Sequence, residues 1–286
     1  MLWTQAAKAP NDAFADDRIA ITGGSQGIGY AIAEALAGRC RQLTLLARDS
    51  GKLASAADAL HCDVCATDVR DLTPTAAAAL GDCTLLICCA GEMTPGRASE
   101  LSSADYQRQM DVNFVGVANT VRAALPSMLA RRAGTIVVFS STAATVGVYG
   151  YTAYGATKAA VGSYAAALRA ELRDTGIRVV VAYPPDTETP GLSRERALRP
   201  DETDAIVSAI KPRPADAVAR RLLAALCTDT RTVTFDPTTA VLVWCSTLLD
   251  RVFGPYSRLL IRRARRHRPT AAAHCHRPTA TLEGQS

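Results

Sequence analysis

The chain has 286 residues, 48% of them hydrophobic and 21% charged, with a formal net charge of +5. That length holds one large α/β domain or two small ones. Nine cysteines without framework spacing, several inside apolar runs, exclude a disulfide scaffold and point to reduced thiols in a cytosolic setting.

Residues 1–17 are polar and Ala-rich and lack the apolar core of a signal peptide. They read as a flexible N-terminal arm, and export through a cleaved signal is not expected. Arg18-Ile19-Ala20-Ile21 predicts a short buried strand that runs into Thr22-Gly23-Gly24-Ser25-Gln26-Gly27-Ile28-Gly29, followed by a helix from Tyr30 to Ala37. Strand, glycine-rich turn and helix in that order point to a dinucleotide site. The glycines allow a tight turn and close approach to a pyrophosphate, which the helix N-terminus attracts. The expected contacts are Gly23, Ser25, Gln26, Gly27, Ile28 and Gly29.

A second strand, Gln42 to Ala47, ends in Arg48 and not in a carboxylate. An acid at that place accepts from a free ribose 2′-hydroxyl, whereas an arginine suits a 2′-phosphate, so the expected cofactor is NADPH. Asp49, one position on, is the objection. Cys62-x-x-Cys65 has zinc-like spacing but no second pair, so no metal site is expected. A strand through Cys65-Ala66-Thr67 leads to Asp68-Val69, which is expected to border the adenine, and to an Ala-rich helix from Thr73 to Leu80. The fourth strand, Thr84 to Cys88, opens on Cys89-Ala90-Gly91, where Ala90 and Gly91 let backbone approach the cofactor. A long helical stretch from Ala104 to Arg132 carries Asn113, and its expected bend is Pro126.

Thr135 to Phe139 reads as a buried strand that delivers Ser141. Tyr154 and Lys158, four apart at the start of an Ala-rich helix, share one face. Reducing a ketone places negative charge on its oxygen, and a donor must be waiting there. Tyr154 suits the proton and Ser141 a second hydrogen bond, while the Lys158 ammonium is expected to lower the phenol pKa. A Tyr-x-x-x-Lys pair alone is most often a solvated helix pair; its weight comes from the residues around it. The helix is expected to end at Thr175-Gly176 with a glycine cap. Arg178 to Tyr183 then gives a strand that opens on Pro184-Pro185-Asp186-Thr187-Glu188-Thr189-Pro190-Gly191.

With the glycine motif, Ala90-Gly91, Asn113, Ser141, Tyr154 and Lys158 in this order, the chain resembles the short-chain dehydrogenase/reductases from about Arg18 to Phe235. The resemblance implies that Asn113, Ser141, Tyr154 and Lys158 form a catalytic tetrad, with Asn113 holding a proton relay behind Lys158. It also implies that Tyr154, Lys158, Pro184, Thr187 and Thr189 touch the cofactor, Thr189 at the nicotinamide carboxamide. Where that family often has asparagine before Ala-Gly, this chain has Cys89, which cannot supply an amide's hydrogen bonds. Val179 to Gly191 with its two prolines, Leu43 to Arg48, and Lys211-Pro212 are similar to the 3-ketodihydrosphingosine reductases within the family. That likeness implies NADPH-dependent reduction of a long-chain lipid ketone on the cytosolic face of the endoplasmic reticulum membrane, under a lid from Pro190 to Pro214. A reductase of a steroid, retinal or ketoacyl lipid, a non-catalytic nucleotide-sensing scaffold, and a cytoplasmic location stay open as alternatives.

Thr239 to Leu249 is apolar but short of the roughly 20 residues that span a bilayer. From Arg251 to Arg268 there are seven arginines, one histidine and no acid. Residues 238–268 therefore read either as a membrane-surface segment or as an apolar cover for the domain. Arginines interleaved with apolar residues, without a groove-reading motif, point away from nucleic acid. Residues 269–286, with His274-Cys275-His276, read as a disordered tail. Small Ala159, Ala160, Ala165, Ala166 and Ala167 along the site helix permit close approach of a second copy, so a homodimer is expected. The expected architecture is a Rossmann-type doubly wound parallel sheet in a single domain, residues 18–237, with a C-terminal apolar and basic extension.

Overall fold

The structure is a computed structural model that describes residues 12–207, 211–245 and 260. In chain order, β1 (Phe14–Thr22) leads to α1 (Gly27–Leu36), β2 (Cys40–Ala47) to α2 (Ser50–Leu60), β3 (Asp63–Ala66) to α3 (Pro74–Asp82), and β4 (Leu85–Cys88) to α4 (Ser103–Met110). A π-helical turn, Asp111–Val115, joins α4 to α5 (Gly116–Arg131). β5 (Gly134–Phe139) passes through a 3-10 turn, Thr142–Ala144, to α6 (Thr152–Glu171). β6 (Ile177–Tyr183) is followed by β7 (Thr187–Glu188), α7 (Pro190–Arg196), α8 (Asp201–Val207), β8 (Arg213–Pro214), α9 (Ala215–Leu226), β9 (Thr232–Thr234) and α10 (Pro237–Trp244).

Seven of the strands form one parallel sheet in the order β3-β2-β1-β4-β5-β6-β9, the expected doubly wound arrangement. Strand order reverses between β1 and β4, and ligands of such sheets bind beyond the carboxyl ends at that point. Leu85 to Cys88 and Val179 to Ala182 are buried without interruption. A parallel strand covered on both faces requires such runs. Alternate residues serve opposite layers. Ile19, Ile21, Leu45 and Ile87 pack with Ile32 and Leu36 of α1, Leu53 of α2 and Leu222 of α9. Ala20, Leu46, Leu86 and Val138 pack with Leu80 of α3, Val121 and Met128 of α5, and Val161 of α6.

Several boundaries differ from the sequence pattern. β1 begins at Phe14, inside the stretch read as a flexible arm; Phe14 is buried and pairs with Cys40, with an irregular register before Arg18. Asp16 and Asp17, poor strand formers, hide it. α2 has no counterpart in the pattern because its buried stripe is thin, Leu53, Ala56 and Leu60. Its signal lies at its ends, where Asp49 accepts from the Lys52 amide at 3.0 Å and His61 takes φ 51°. The long helical stretch is interrupted at the π turn and not at Pro126, which lies inside α5. α6 ends at Glu171 with Leu172 as its cap; Gly176, φ +81°, sits in the following turn, where a Cβ would run into the Arg132 carbonyl oxygen. Ala165 packs in the core, whereas Ala159, Ala166 and Ala167 are exposed.

Of the predicted C-terminal extension, α10 holds the first residues. Asp236 accepts from the Thr239 amide at 2.7 Å and from its hydroxyl at 3.0 Å, which caps the N-terminus of α10. Apart from residue 260, the basic stretch and the tail with His274-Cys275-His276 lie outside the described residues. Among the described residues, no helix is long and apolar enough to cross a membrane, and all eight cysteines are free.

Candidate active site

The carboxyl ends of β1 and β4 meet at the glycine-rich turn. Gly23 takes φ +70°, and a Cβ there would lie 2.8 Å from Ala90 backbone atoms; a Cβ on Gly29 would strike the Gly23 carbonyl oxygen. Only glycine lets the turn close this tightly, and the Gly23 amide then donates to Leu46 O at 2.7 Å. Gln26, the N-cap of α1, offers no side-chain cap to the first amides of that helix, which face the turn as an anion requires. Gly27, φ +61°, would bring a Cβ 3.2 Å from Thr189 Cγ2, so the loop after β6 lies against the glycine turn. Ser25 and Ile28 are half-buried, and Ile28 packs on the core. These residues form a cradle that a pyrophosphate fits, because its closest walls are backbone and any added side chain would fill it.

On the ribose side, Arg48 is 57% exposed, with Nη2 3.9 Å from Glu92 Oε2. Bonds from the Lys52 amide and ammonium hold the Asp49 carboxyl below its usual range, and it is occupied as the cap of α2. Asp68 is engaged with the Arg70 guanidinium at 2.8 Å, which lowers its pKa. Val69 is buried, and Asn119 Nδ2 donates to its carbonyl at 3.2 Å.

Asn113 is fully buried on the π turn, a distortion frequent at functional sites. Its Oδ1 accepts from the Glu92 amide at 2.9 Å, while Nδ2 donates to Glu92 O at 2.8 Å and to Thr157 Oγ1 at 3.1 Å. This reciprocal clamp fixes the chain just after Gly91. A Cβ on Gly91 would lie 3.1 Å from Asn113 Oδ1 and 3.7 Å from Lys158 Nζ, so both side chains converge there.

Lys158 is buried and its ammonium donates to Phe139 O at 3.0 Å, 5.7 Å from the Tyr154 ring centroid. Ser140, which sequence spacing did not single out, bonds Lys158 O at 2.9 Å and ties α6 to the end of β5. Ser141 Oγ accepts from the Ala143 amide at 3.2 Å and hydrogen-bonds the Tyr154 phenol. Burial pushes that phenol above its ordinary value; the bond from Ser141 works the other way, and Glu195 and Asp186 add to the rise. The lowering expected from Lys158 is not found: burial dominates and raises the phenol. Burial also brings the Lys158 ammonium down to about 8. The Cys89 thiol is pushed up to about 12 by burial, so it stays neutral at the position where an amide was expected.

Beyond β6, Pro184 is half-buried, Thr187 donates to Pro185 O at 2.8 Å, and Thr189 caps α7 by accepting from the Leu192 amide at 3.1 Å. The predicted lid, Pro190 to Pro214, contains α7, α8 and β8, with residues 208–210 outside the described set. Tyr151, Glu195 and Arg199 enter the site unannounced, since they meet only when α7 folds over the start of α6.

A family model described as short chain dehydrogenase matches residues 17–199. A Danio rerio protein named 3-dehydrosphinganine reductase is 35% identical over 204 residues, 66% of this chain and 61% of its own length. A Mus musculus protein named 3-ketodihydrosphingosine reductase is 35% identical over 201 residues, 65% of this chain and 60% of its own. The match thus spans about three fifths of the length of these relatives. Among solved structures, an actinorhodin polyketide ketoreductase with NADPH superposes with a TM-score of 0.67 at 26% identity, covering 78% of this chain and 95% of the other.

Proposed function

The chain belongs to the short-chain dehydrogenase family, and within it we propose an NADPH-dependent reductase that converts 3-ketodihydrosphingosine to dihydrosphingosine. The observation that carries the reading is the convergence of Ser141, Tyr154 and Lys158 beside the glycine cradle, in a chain whose relatives bear that enzyme's name. The family uses a nicotinamide dinucleotide, and Gly23, Ser25, Gln26, Gly27, Ile28, Gly29, Asp68, Val69, Ala90 and Gly91 are the residues assigned to hold it, with Pro184, Thr187 and Thr189 on the nicotinamide side.

When bound, the reduced nicotinamide supplies the hydride to the carbonyl carbon. Ser141 donates to the carbonyl oxygen and Tyr154 gives it a proton as negative charge develops. The raised phenol pKa keeps Tyr154 protonated at neutral pH, the form an acid requires. Lys158, anchored to Phe139 O, steadies the phenolate that remains, and Asn113 keeps the Gly91 backbone in place behind it.

Arg48 is assigned to the 2′-phosphate, which supports NADPH over NADH. Arg48→Ala is expected to lower the preference for NADPH by about 10–100-fold in cofactor titrations; an unchanged preference removes that role. The working place is the cytosolic face of the endoplasmic reticulum membrane. The compartment follows from the resemblance to the 3-ketodihydrosphingosine reductases; a membrane surface is supported by Val241 and Trp244, 51% and 71% exposed on α10, which packs near the turn after Ser141 and precedes the arginine-rich stretch. A homodimer along α6 rests on exposed Ala159, Ala166 and Ala167. The test is loss of reduced-nicotinamide absorbance when the detergent-solubilised protein receives 3-ketosphinganine. Turnover of a steroid or retinal in its place moves the assignment to another lipophilic carbonyl.

A further inference from the structure

Beside Tyr154 lies a shielded ionic network that the reduction itself does not use. Tyr151, 8% exposed, packs edge-on against Tyr154 with ring centroids 6.2 Å apart and donates to Glu195 Oε1 at 2.5 Å. The same oxygen accepts from Arg199 at 2.7 Å, and Arg199 also reaches Asp186 Oδ2 at 3.2 Å. The Arg199 side chain is 2% exposed, whereas Asp204, at 3.7 Å, is 58% exposed and largely solvated. One guanidinium therefore serves the shielded Glu195 carboxylate and the Asp186 carboxylate, which is 27% exposed, and shielded charge is stable when paired.

The pairing is incomplete at one identifiable atom. Every side-chain hydrogen bond of Glu195 among the described residues falls on Oε1, and Oε2 has none, although the residue is 8% exposed. A cavity of about 460 Å³ meets the network at Arg199 and is lined besides by Leu198 and Pro200, by Thr94 and Leu101, and by the charged Arg97 and Glu100. The network thus offers a Glu195 oxygen with no bond among the described residues, beside the guanidinium that lines the cavity and one aromatic ring away from the phenol assigned to protonate the carbonyl.

The ketone assigned above carries a primary ammonium on the carbon next to its carbonyl. Resting on that reading, we propose that Glu195, with Asp186 beside it, seats this ammonium, and so selects 2-amino ketones over otherwise identical neutral ketones. Tyr151 and Arg199 are positioning residues that hold Glu195 in place from α6 and from the segment after α7. The seat also links recognition to chemistry. The groups acting on the Tyr154 phenol are Ser141, Glu195, Asp186 and Cys89, with the Lys158 ammonium 5.7 Å from its ring centroid, and the two carboxylates favour retention of its proton. A cation seated between them offsets that effect and makes the phenol a better acid once the correct substrate is present.

The test compares kcat/KM for 3-ketosphinganine with that for the 1-hydroxy-3-ketone of the same length that lacks the amine, using NADPH, in the wild type and in Glu195→Gln. The wild type is expected to favour the amino ketone by about 10–100-fold, and Glu195→Gln to lose that preference. In a second arm that needs no variant, a long-chain primary alkylammonium is expected to compete with the ketone about tenfold more tightly than the alcohol of equal length. Equal kcat/KM for the two ketones, equal inhibition by amine and alcohol, or a preference that survives in Glu195→Gln overturns the ammonium seat. The network is then a tie between α7 and α6, and the reductase reading stands. Reduction of neither ketone overturns the reductase reading and this inference with it.

Discussion

Tyr154→Phe is expected to bind NADPH with nearly wild-type affinity and to reduce the ketone about 10²–10⁴-fold more slowly. The substitution removes one oxygen and keeps the ring, so the edge contact with Tyr151 and the close packing beside Lys158 persist. What is lost is the proton donor, together with its bond to Ser141. Ser141 still donates to a carbonyl oxygen, but a serine hydroxyl is too weak an acid to complete the transfer. Single-turnover absorbance combined with a cofactor fluorescence titration separates the two effects. Wild-type turnover in this variant contradicts the role given to Tyr154.

Lys158→Met is expected to cut turnover by about 10²-fold or more while making the cofactor-free protein more stable. The ammonium is buried with one hydrogen bond, to Phe139 O, and a buried charge so thinly compensated costs more than an apolar chain of similar shape. The gain at neutral pH is about 1–4 kcal/mol, read as an increase of several degrees in Tm. The sign follows from the pKa, which falls from 10.5 to about 8 on folding. Between those values the unfolded chain binds more protons than the folded one, so wild-type stability rises with pH. The stability penalty of Lys158 is full below pH about 8 and fades as pH approaches 10.5. The Tm gap between variant and wild type is therefore expected to close across that window. A constant gap from pH 7 to pH 10 contradicts the burial of this charge.

Local periodicity carried much of the architecture. Uninterrupted apolar runs such as Leu85 to Cys88 identify strands covered on both faces, and the glycine turn is legible because backbone that close permits no Cβ. The four-residue spacing of Tyr154 and Lys158 places them on one face of α6, as expected. Spacing does not report depth. Proximity of Lys158 was expected to set the Tyr154 pKa, but burial acts on both groups and moves them in opposite directions, the phenol up and the ammonium down.

Features made by long-range closure left little local trace. α2 buries only Leu53, Ala56 and Leu60 and could be found only from its capping residues. The π turn that aims Asn113 depends on its partners Glu92 and Thr157, which lie 21 and 44 residues away. Tyr151 and Glu195, 44 residues apart, look like unrelated surface positions until α7 folds back over α6. Asp49, read from the sequence as the objection to Arg48, is the cap of α2, a role its place in the sequence did not announce.

The most direct measurement of the central claim follows a labelled hydride. The protein is given 3-ketosphinganine and NADPH that carries deuterium at its transferable position, and the product is read by mass spectrometry. The account predicts dihydrosphingosine with one deuterium on the carbon that bore the ketone, formed by the wild type and nearly absent with Tyr154→Phe. Product without the label, or no product although NADPH binds, contradicts it.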